Sequence, residues 1–345
     1  MCEVAVATTG FFDGVHIGHR LVLQSVVSSA RERGGEAIVF TFWPHPRTVL
    51  QQDARELRLL TSLEEKRSML LSLGVDRVEV LPFSRDFAAM TAYEYISMLR
   101  DRFGVDHLVM GYDNRIGCDG RTFSSISVPG VNIVSVDALT AGGSVVREPV
   151  ATLEYPKKAC FFGDPTLGLV RGRGPANGWE GPKRSEGGSL TTVPPAVSST
   201  VIRNLLSEGK VEEANGMLGY DYRLEGVVVA GNRMGRTIGF PTANMQLYEP
   251  LKLIPGNGVY AVEVEAVGGK FLGMCNIGTR PTVGGNVRTI ETNIFDFDED
   301  IYGLPIVLHM KKRLRNEVRF PSLEALKLQL EKDREEAIAS FSDTL

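Results

Sequence analysis

Two of the five histidines in this 345-residue chain stand three residues apart, in TGFFDGVHIGHR, residues 9–20. His16 and His19, separated by Ile17 and Gly18, could bind a metal, grip a phosphate or be paired by chance. The preceding EVAVATTG reads as a short apolar strand ending at Gly10, and the following GHRLVLQSVVSSARERGG as a helix stopped by Gly34 and Gly35. The pair therefore opens a helix. A helix N-terminus carries about half a positive charge and free N–H groups, which suit an anion such as a polyphosphate. Two imidazoles on the first turn add donors, and Gly18 leaves room for a nucleotide to approach the backbone. Zinc would need a third protein ligand, and His45, His107 and His309 offer no nearby paired spacing. Spacing and context favour phosphate.

A second chemical stretch is GNRMGRTIGFPTANM, residues 231–245. Gly231, Gly235 and Gly239 recur every four residues and permit tight turns close to phosphate oxygens. No GK[ST] follows, so this is not a P-loop. Thr242 and Asn244 add a hydroxyl and an amide, oxygen donors of the kind Mg²⁺ prefers. Taken alone, the loop reads as a glycine hairpin. Farther on, RTIETNIFDFDEDIYG alternates, which puts Glu291, Asn293, Phe295 and Phe297 on one strand face and Ile290, Thr292 and Ile294 on the other. A carboxylate among aromatics is paired, raised in pKa or catalytic; an edge strand facing water is the plain alternative. Asp296, Asp298, Glu299 and Asp300 read as a solvated turn.

The elements that must hold these residues fall into two styles. In the first half, EAIVFTFWPHP, RVEVLPF and HLVMGYD read as strands, and SLEEKRSMLLSLGVD and TAYEYISMLRDRFGV as helices. Strands alternating with helices predict a parallel sheet, whose nucleotide ligands bind at the carboxyl ends of strands. Periodicity fades from Cys118 to about Pro195, and residues 128–195 read as a Gly- and Pro-rich insertion. VSSTVIRNLLSEGKVEEANGMLG is helical again. From Tyr220 come short strands separated by Gly, Asn and Pro, then a last helix in SLEALKLQLEKDREEAIASF. That pattern predicts a small antiparallel barrel or sandwich. The boundary is expected near Gly219, giving domains 1–218 and 219–345.

Composition narrows the classes. The chain is long for one core and ordinary for a globular protein, with 43% hydrophobic and 23% charged residues. A formal charge of −4 argues against a general nucleic-acid binder. The N-terminus lacks a signal-peptide pattern and no apolar run is long enough to span a bilayer, so no membrane is expected. Cys2, Cys118, Cys160 and Cys275 form no CxxC pair and read as reduced thiols. The expected location is cytoplasmic; a homo-oligomer is left open.

GFFDGVHIGHR, TFWPHPRTVL, LLTSLEEKRSMLLSLGVD, MGYDNRIG and VSSTVIRNLL, in that order, resemble the N-terminal half of the bacterial bifunctional riboflavin kinase/FMN adenylyltransferases, the prokaryotic FAD synthetases. GFPTAN, NIGTRPTVGG, RTIETNIFDF and RLRNEVRFPSLEALKLQLEKD resemble the kinase half. The resemblance implies a Rossmann-like α/β nucleotidyltransferase domain of the HxGH type, followed by an all-β six-stranded Greek-key barrel with a C-terminal helix. It implies that His16 and His19 contact ATP phosphates, with Gly10 and Asp13 shaping the loop. Ser198, Ser199 or Thr200 caps the next helix, Arg203 points at phosphate, and Asp113 lies near nucleotide and flavin. In the kinase half it makes Glu291 the general base, Thr242 and Asn244 the Mg²⁺–ATP contacts, and the glycine loop the phosphate cover. The substrates and products would be riboflavin, FMN, FAD and ATP. The chain departs from the family at Phe11, where Asn is usual, at Asn114 and Ile116, and in the long connection before VSST. Two other readings are a riboflavin kinase with a degenerate first domain and a non-catalytic flavin- and nucleotide-binding regulator.

Overall fold

The computed structural model describes residues 4–50, 57–111, 114–136, 138–139, 145–146, 197–231, 235, 238–282 and 285–342. Packing divides the chain into two compact units, Met1–Arg55 with Lys66–Val197, and Glu56–Glu65 with Ser198–Leu345.

The first unit is built on a five-stranded sheet of order β3-β2-β1-β4-β5, with β1 (Ala5–Thr9), β2 (Glu36–Trp43), β3 (Arg77–Pro82), β4 (Val105–Gly111) and β5 (Asn132–Val136). Every pairing is parallel. The crossovers are α1 (Ile17–Arg33), α2 (Pro46–Leu50), α3 (Leu63–Ser72), α4 (Arg85–Ala88) and α5 (Ala92–Phe103). β1 is buried along its whole length, as expected of a central strand with both faces covered. Val6, Val22, Val26, Ala30 and Ala37 form a core against the α1 face. α5 carries a full capping box between Thr91 and Glu94 and ends at Gly104 with φ 71°, so its length is written locally. The expected α/β sheet is present. β5 lies in the stretch read as insertion; short, half-exposed NIVSV at the sheet edge carries too weak a pattern to stand out. The short pair β6 (Ala138–Leu139) and β7 (Val145–Val146) follows. Most of the remaining insertion lies outside the described residues.

The second unit begins with α6 (Ser199–Ser207) and α7 (Val211–Leu218). It continues as a closed barrel of order β10-β11-β12-β9-β8-β13, with β8 (Tyr222–Val229), β9 (Ala243–Leu247), β10 (Gly258–Ala266), β11 (Gly269–Thr282), β12 (Gly285–Ile294) and β13 (Pro305–Arg315), and ends with α8 (Leu323–Ser342). β8 alternates buried and half-buried residues, the signature of a strand with one face on a core. Phe240, Val259, Ala261, Met274, Phe295 and Ala337 pack together, which seats α8 on the barrel. Residues 56–65 join this unit. Leu59 pairs with Lys252, whose ammonium donates to both Glu65 carboxylate oxygens at 2.8 and 2.6 Å and to the Leu60 carbonyl at 2.8 Å. Both charged groups are buried. Among the described residues, no helix is long and apolar enough to cross a membrane, and Cys118 and Cys275 are free thiols.

Candidate active site

In the first unit the histidine segment leaves the carboxyl end of β1. Phe12, Gly14 and Val15 have φ of 52°, 80° and 37°. A left-handed β-branched valine is an outlier that only surrounding structure can hold. Val15 and Phe12 are buried, as is Asp13. His16 is the N-cap of α1, and its Nδ1 accepts the backbone N–H of His19 at 3.3 Å. That bond assigns the neutral ring proton to Nε2, a donor suited to phosphate. The His16 and His19 rings stack with centroids 3.6 Å apart and planes 16° from parallel. Burial pushes the His19 pKa well below its usual 6.5, and the His16 and Lys66 charges add to this. His19 is therefore neutral at pH 7 and offers a hydrogen bond rather than a cation.

Gly18 also has a local role. A Cβ there would meet the His16 ring at 3.3 Å, so the missing side chain makes room for the capping imidazole. At Gly10 the corresponding neighbour is the Phe12 ring, at 3.1 Å. Asp113 lies outside the described residues. Ser198, Ser199, Thr200 and Arg203 belong by packing to the second unit. Ser198 is the cap, accepting from the Val201 N–H at 3.3 Å, while Ser199 and Thr200 form the first turn of α6. The Arg203 Nε donates to the Arg58 carbonyl at 2.9 Å, and this bond fixes the course of its side chain.

Sequence reasoning passed over Lys66 and His45. The Lys66 Nζ donates to the Phe11 carbonyl at 2.9 Å and lies 3.9 Å from the Phe11 ring centre. His45 packs edge-on against the same ring, with centroids 4.1 Å apart. Both are buried polar groups, and the only signal in the sequence is a lysine placed toward the apolar side of a helix.

In the second unit, strand register assembles the site. Glu291 on β12 stands directly opposite Asn244 on β9, and opposite Asn276 on β11. Thr242 immediately precedes β9. The Asn293 amide donates to the Pro241 carbonyl at 2.7 Å, tying the glycine loop's exit to the strand that carries Glu291. At Gly231 a Cβ would lie 2.1 Å from the Asn244 amide nitrogen, and at Gly235 2.1 Å from the Phe240 carbonyl oxygen. A side chain at Gly235 would displace the backbone at Phe240, and one at Gly231 would displace the Asn244 amide. Gly239 has φ 83°.

Glu291 is paired. Arg280 Nη2 lies 2.5 Å from its Oε1, and the glutamate side chain is 18% exposed. The expected sharing of one face with Phe295 and Phe297 stops early. β12 ends at Ile294 and Asp296 turns with φ 54°, so Phe295 enters the α8 core and Phe297 packs on Phe271. Beside Thr242 lies a cavity of about 290 Å³ lined by Val228, Pro241, Thr292, Phe297 and Tyr302, among others. Asp298, Glu299 and Asp300 are exposed and rim it.

Among the described residues, one group of His and carboxylate side chains has atoms close enough to hold an ion: Glu263, Glu265 and His309 on the barrel. Lys270 already bridges its two carboxylates, at 2.9 and 3.3 Å. Neither His16 nor His19 belongs to such a group.

Comparison with known proteins follows this division. Residues 2–132 match the FAD synthetase family model and residues 218–341 the riboflavin kinase model. The bifunctional riboflavin kinase/FMN adenylyltransferase of Bacillus subtilis (strain 168) is 33% identical over 98% of this chain and 93% of its own length. The protein of the same name in Escherichia coli (strain K12) is 36% identical over 96% of this chain and 91% of its own. A crystal structure described as a macrolide-efflux protein from Streptococcus pneumoniae superposes with a TM-score of 0.76 at 28% identity, covering 97% of this chain and 94% of that one. Two family models in this order, and relatives aligned over nearly the whole length, lead to one conclusion: the chain belongs to the bifunctional riboflavin kinase/FMN adenylyltransferase family.

Proposed function

We propose that this chain makes flavin cofactors in two ATP-dependent steps, with residues 219–345 acting as riboflavin kinase and residues 1–218 as FMN adenylyltransferase. The observation that carries the kinase step is the pairing of Glu291 with Asn244, two residues beyond Thr242, across two barrel strands. Glu291 takes the proton of the riboflavin 5′-hydroxyl. The oxygen attacks the γ-phosphorus of ATP, the bond to the β-phosphate oxygen breaks, and ADP leaves. Arg280 holds Glu291 Oε1, so its guanidinium must yield that oxygen to the hydroxyl. Thr242 and Asn244 would hold Mg²⁺, since hydroxyl and amide oxygens are the hard donors it accepts. When bound, the ion neutralises charge on the β- and γ-phosphates. The cavity beside Thr242 receives ATP, covered by the glycine loop from Gly231 to Gly239.

In the second step an FMN phosphate oxygen attacks the α-phosphorus of another ATP, and the bond to the β-phosphate breaks to release pyrophosphate. The nucleophile is already an anion, so no side-chain base is needed. The His16 Nε2–H, the neutral His19 and the α1 N-terminus stabilise charge on the transferring and leaving phosphates. Asp13 and Gly10 shape the loop that carries the two histidines. The intact histidine loop supports two activities over a kinase alone, and a paired carboxylate among ATP-type donors supports an enzyme over a passive binder. Within this reading the chain works in the cytoplasm on riboflavin, FMN and ATP, without nucleic acid. Incubating purified protein with riboflavin and Mg²⁺–ATP, and resolving products by chromatography, tests both steps. FMN followed by FAD and pyrophosphate is expected; FMN alone would reduce the chain to a kinase.

A further inference from the structure

The loop from Gly10 to His16 has three residues in the left-handed region, two of them not glycine. Phe12 and Val15 are strained there, and such residues persist only when the surroundings over-determine them. The Phe11 carbonyl is the point where those surroundings converge. It accepts the Lys66 ammonium at 2.9 Å and the Thr41 hydroxyl at 3.3 Å. Lys66 also covers the Phe11 ring on one side, and His45 meets that ring edge-on. Lys66 is 2% exposed. A charged amine so enclosed is rare unless its charge is used.

We propose that Lys66 is a positioning residue for adenylyl transfer: by holding the Phe11 carbonyl and ring, it fixes the strained loop that sets Asp13, His16 and His19 against the nucleotide. The inference rests on the FAD-forming reading of the first domain. Lys66 touches no reacting atom in this account; it acts through the loop. Its role is charge as well as packing. The carboxylate of Asp13 favours the ammonium, whereas burial, the larger effect, pulls the Lys66 pKa from 10.5 down to about 8. The other titratable groups around it are His16 in the loop, His19 on α1 and His45 ahead of α2. Glu65, its neighbour in sequence, is committed to Lys252.

The chain contains its own control, because FMN formation uses different residues. In Lys66→Met, kcat for FAD formation from supplied FMN should fall about 10²-fold, the scale of a misplaced catalytic group. KM for ATP in that reaction and the rate of FMN formation from riboflavin should stay near wild type. In the wild-type protein, FAD formation should decline as pH rises through about 8, where the amine loses its charge, relative to FMN formation in the same samples. That relative decline should be absent from Lys66→Met. Wild-type FAD turnover in the variant, or a raised KM with kcat unchanged, overturns the proposal. If the variant does not fold, the wild-type profile decides, and a FAD-to-FMN rate ratio that is flat through pH 8 overturns it. A wild-type chain that makes no FAD at all overturns the two-step reading instead.

Discussion

The two candidate sites are held in place by different physics. In the barrel, Glu291 stands opposite Asn276 within a long β11–β12 ladder that runs from Gly273 to Thr282, and opposite Asn244 where β12 pairs briefly with β9. A slip of one residue would turn every side chain to the opposite face, so the placement of Glu291 is shared along the β11–β12 ladder. In the parallel sheet, His16 and His19 sit on a loop that violates ordinary backbone preferences at Phe12 and Val15. They are kept there by a few buried polar contacts from Thr41 and Lys66, 30 and 55 residues from the Phe11 carbonyl they hold. A ladder tolerates the loss of one contact better than a strained loop does. The kinase site should therefore be robust in position and sensitive mainly at its reactive group, whereas the adenylyltransferase site should be sensitive at residues that never touch substrate.

The largest effects should separate the two sites cleanly. Glu291→Ala should lower FMN formation by about 10²–10⁴-fold, the range for loss of a positioned general base, and leave FAD formation from supplied FMN unchanged. His16→Ala should do the reverse, lowering FAD formation by about 10²–10³-fold, as for loss of one donor to a developing oxyanion. Steady-state assays of each half-reaction check both, and parallel loss of the two activities in either variant would break the comparison.

The next effect concerns stability. Lys252→Met removes the buried ammonium that donates to both Glu65 oxygens and leaves Arg223 Nε, 3.9 Å away, as the remaining cation; breaking a buried pair in this way should cost about 3–5 kcal/mol. Because Lys252, Leu59, Leu60 and Glu65 all belong to the barrel unit, the loss should appear in the unfolding transition reported by FMN formation. A variant as stable as the wild type in urea unfolding would show that the pair is not closed in solution.

The smallest effect sharpens the account of the histidine loop. The His19 pKa is lower in the folded chain than its usual 6.5. As pH falls below 6.5, the unfolded chain therefore takes up a proton that the folded chain resists. The contribution of this group to stability is complete above that pH and is lost as pH falls toward the folded value. Thermal unfolding of the wild type should weaken more than that of His19→Gln between pH 7 and 5. Equal slopes would mean that the ring is not enclosed.

Much of this was legible in the chain. The alternation of strands with helices, then strands with turns, predicted the two architectures, and HIGH, GFPTAN and TNIF singled out the two candidate sites. β9 was not legible. Ala243–Leu247 contains Asn and Gln and has little β character, and it becomes a strand because it closes the gap between β8 and β12. β5 was hidden for a similar reason, at the edge of its sheet. The face expected to run from Glu291 to Phe297 was broken by the turn at Asp296.

Residue type and spacing by themselves determined which groups can do chemistry, because periodicity and turn residues are local properties of the chain. They named His16, His19, Thr242, Asn244 and Glu291. Tertiary structure alone decided what touches what: His16 folded back over Gly18, Glu291 paired with Arg280, residues 56–65 joined to the barrel, and Lys66 sunk against the Phe11 carbonyl of the histidine loop. A lysine in a helix is ordinarily a solvated residue. Only packing that brings distant segments together can enclose its charge, and no local pattern records that enclosure.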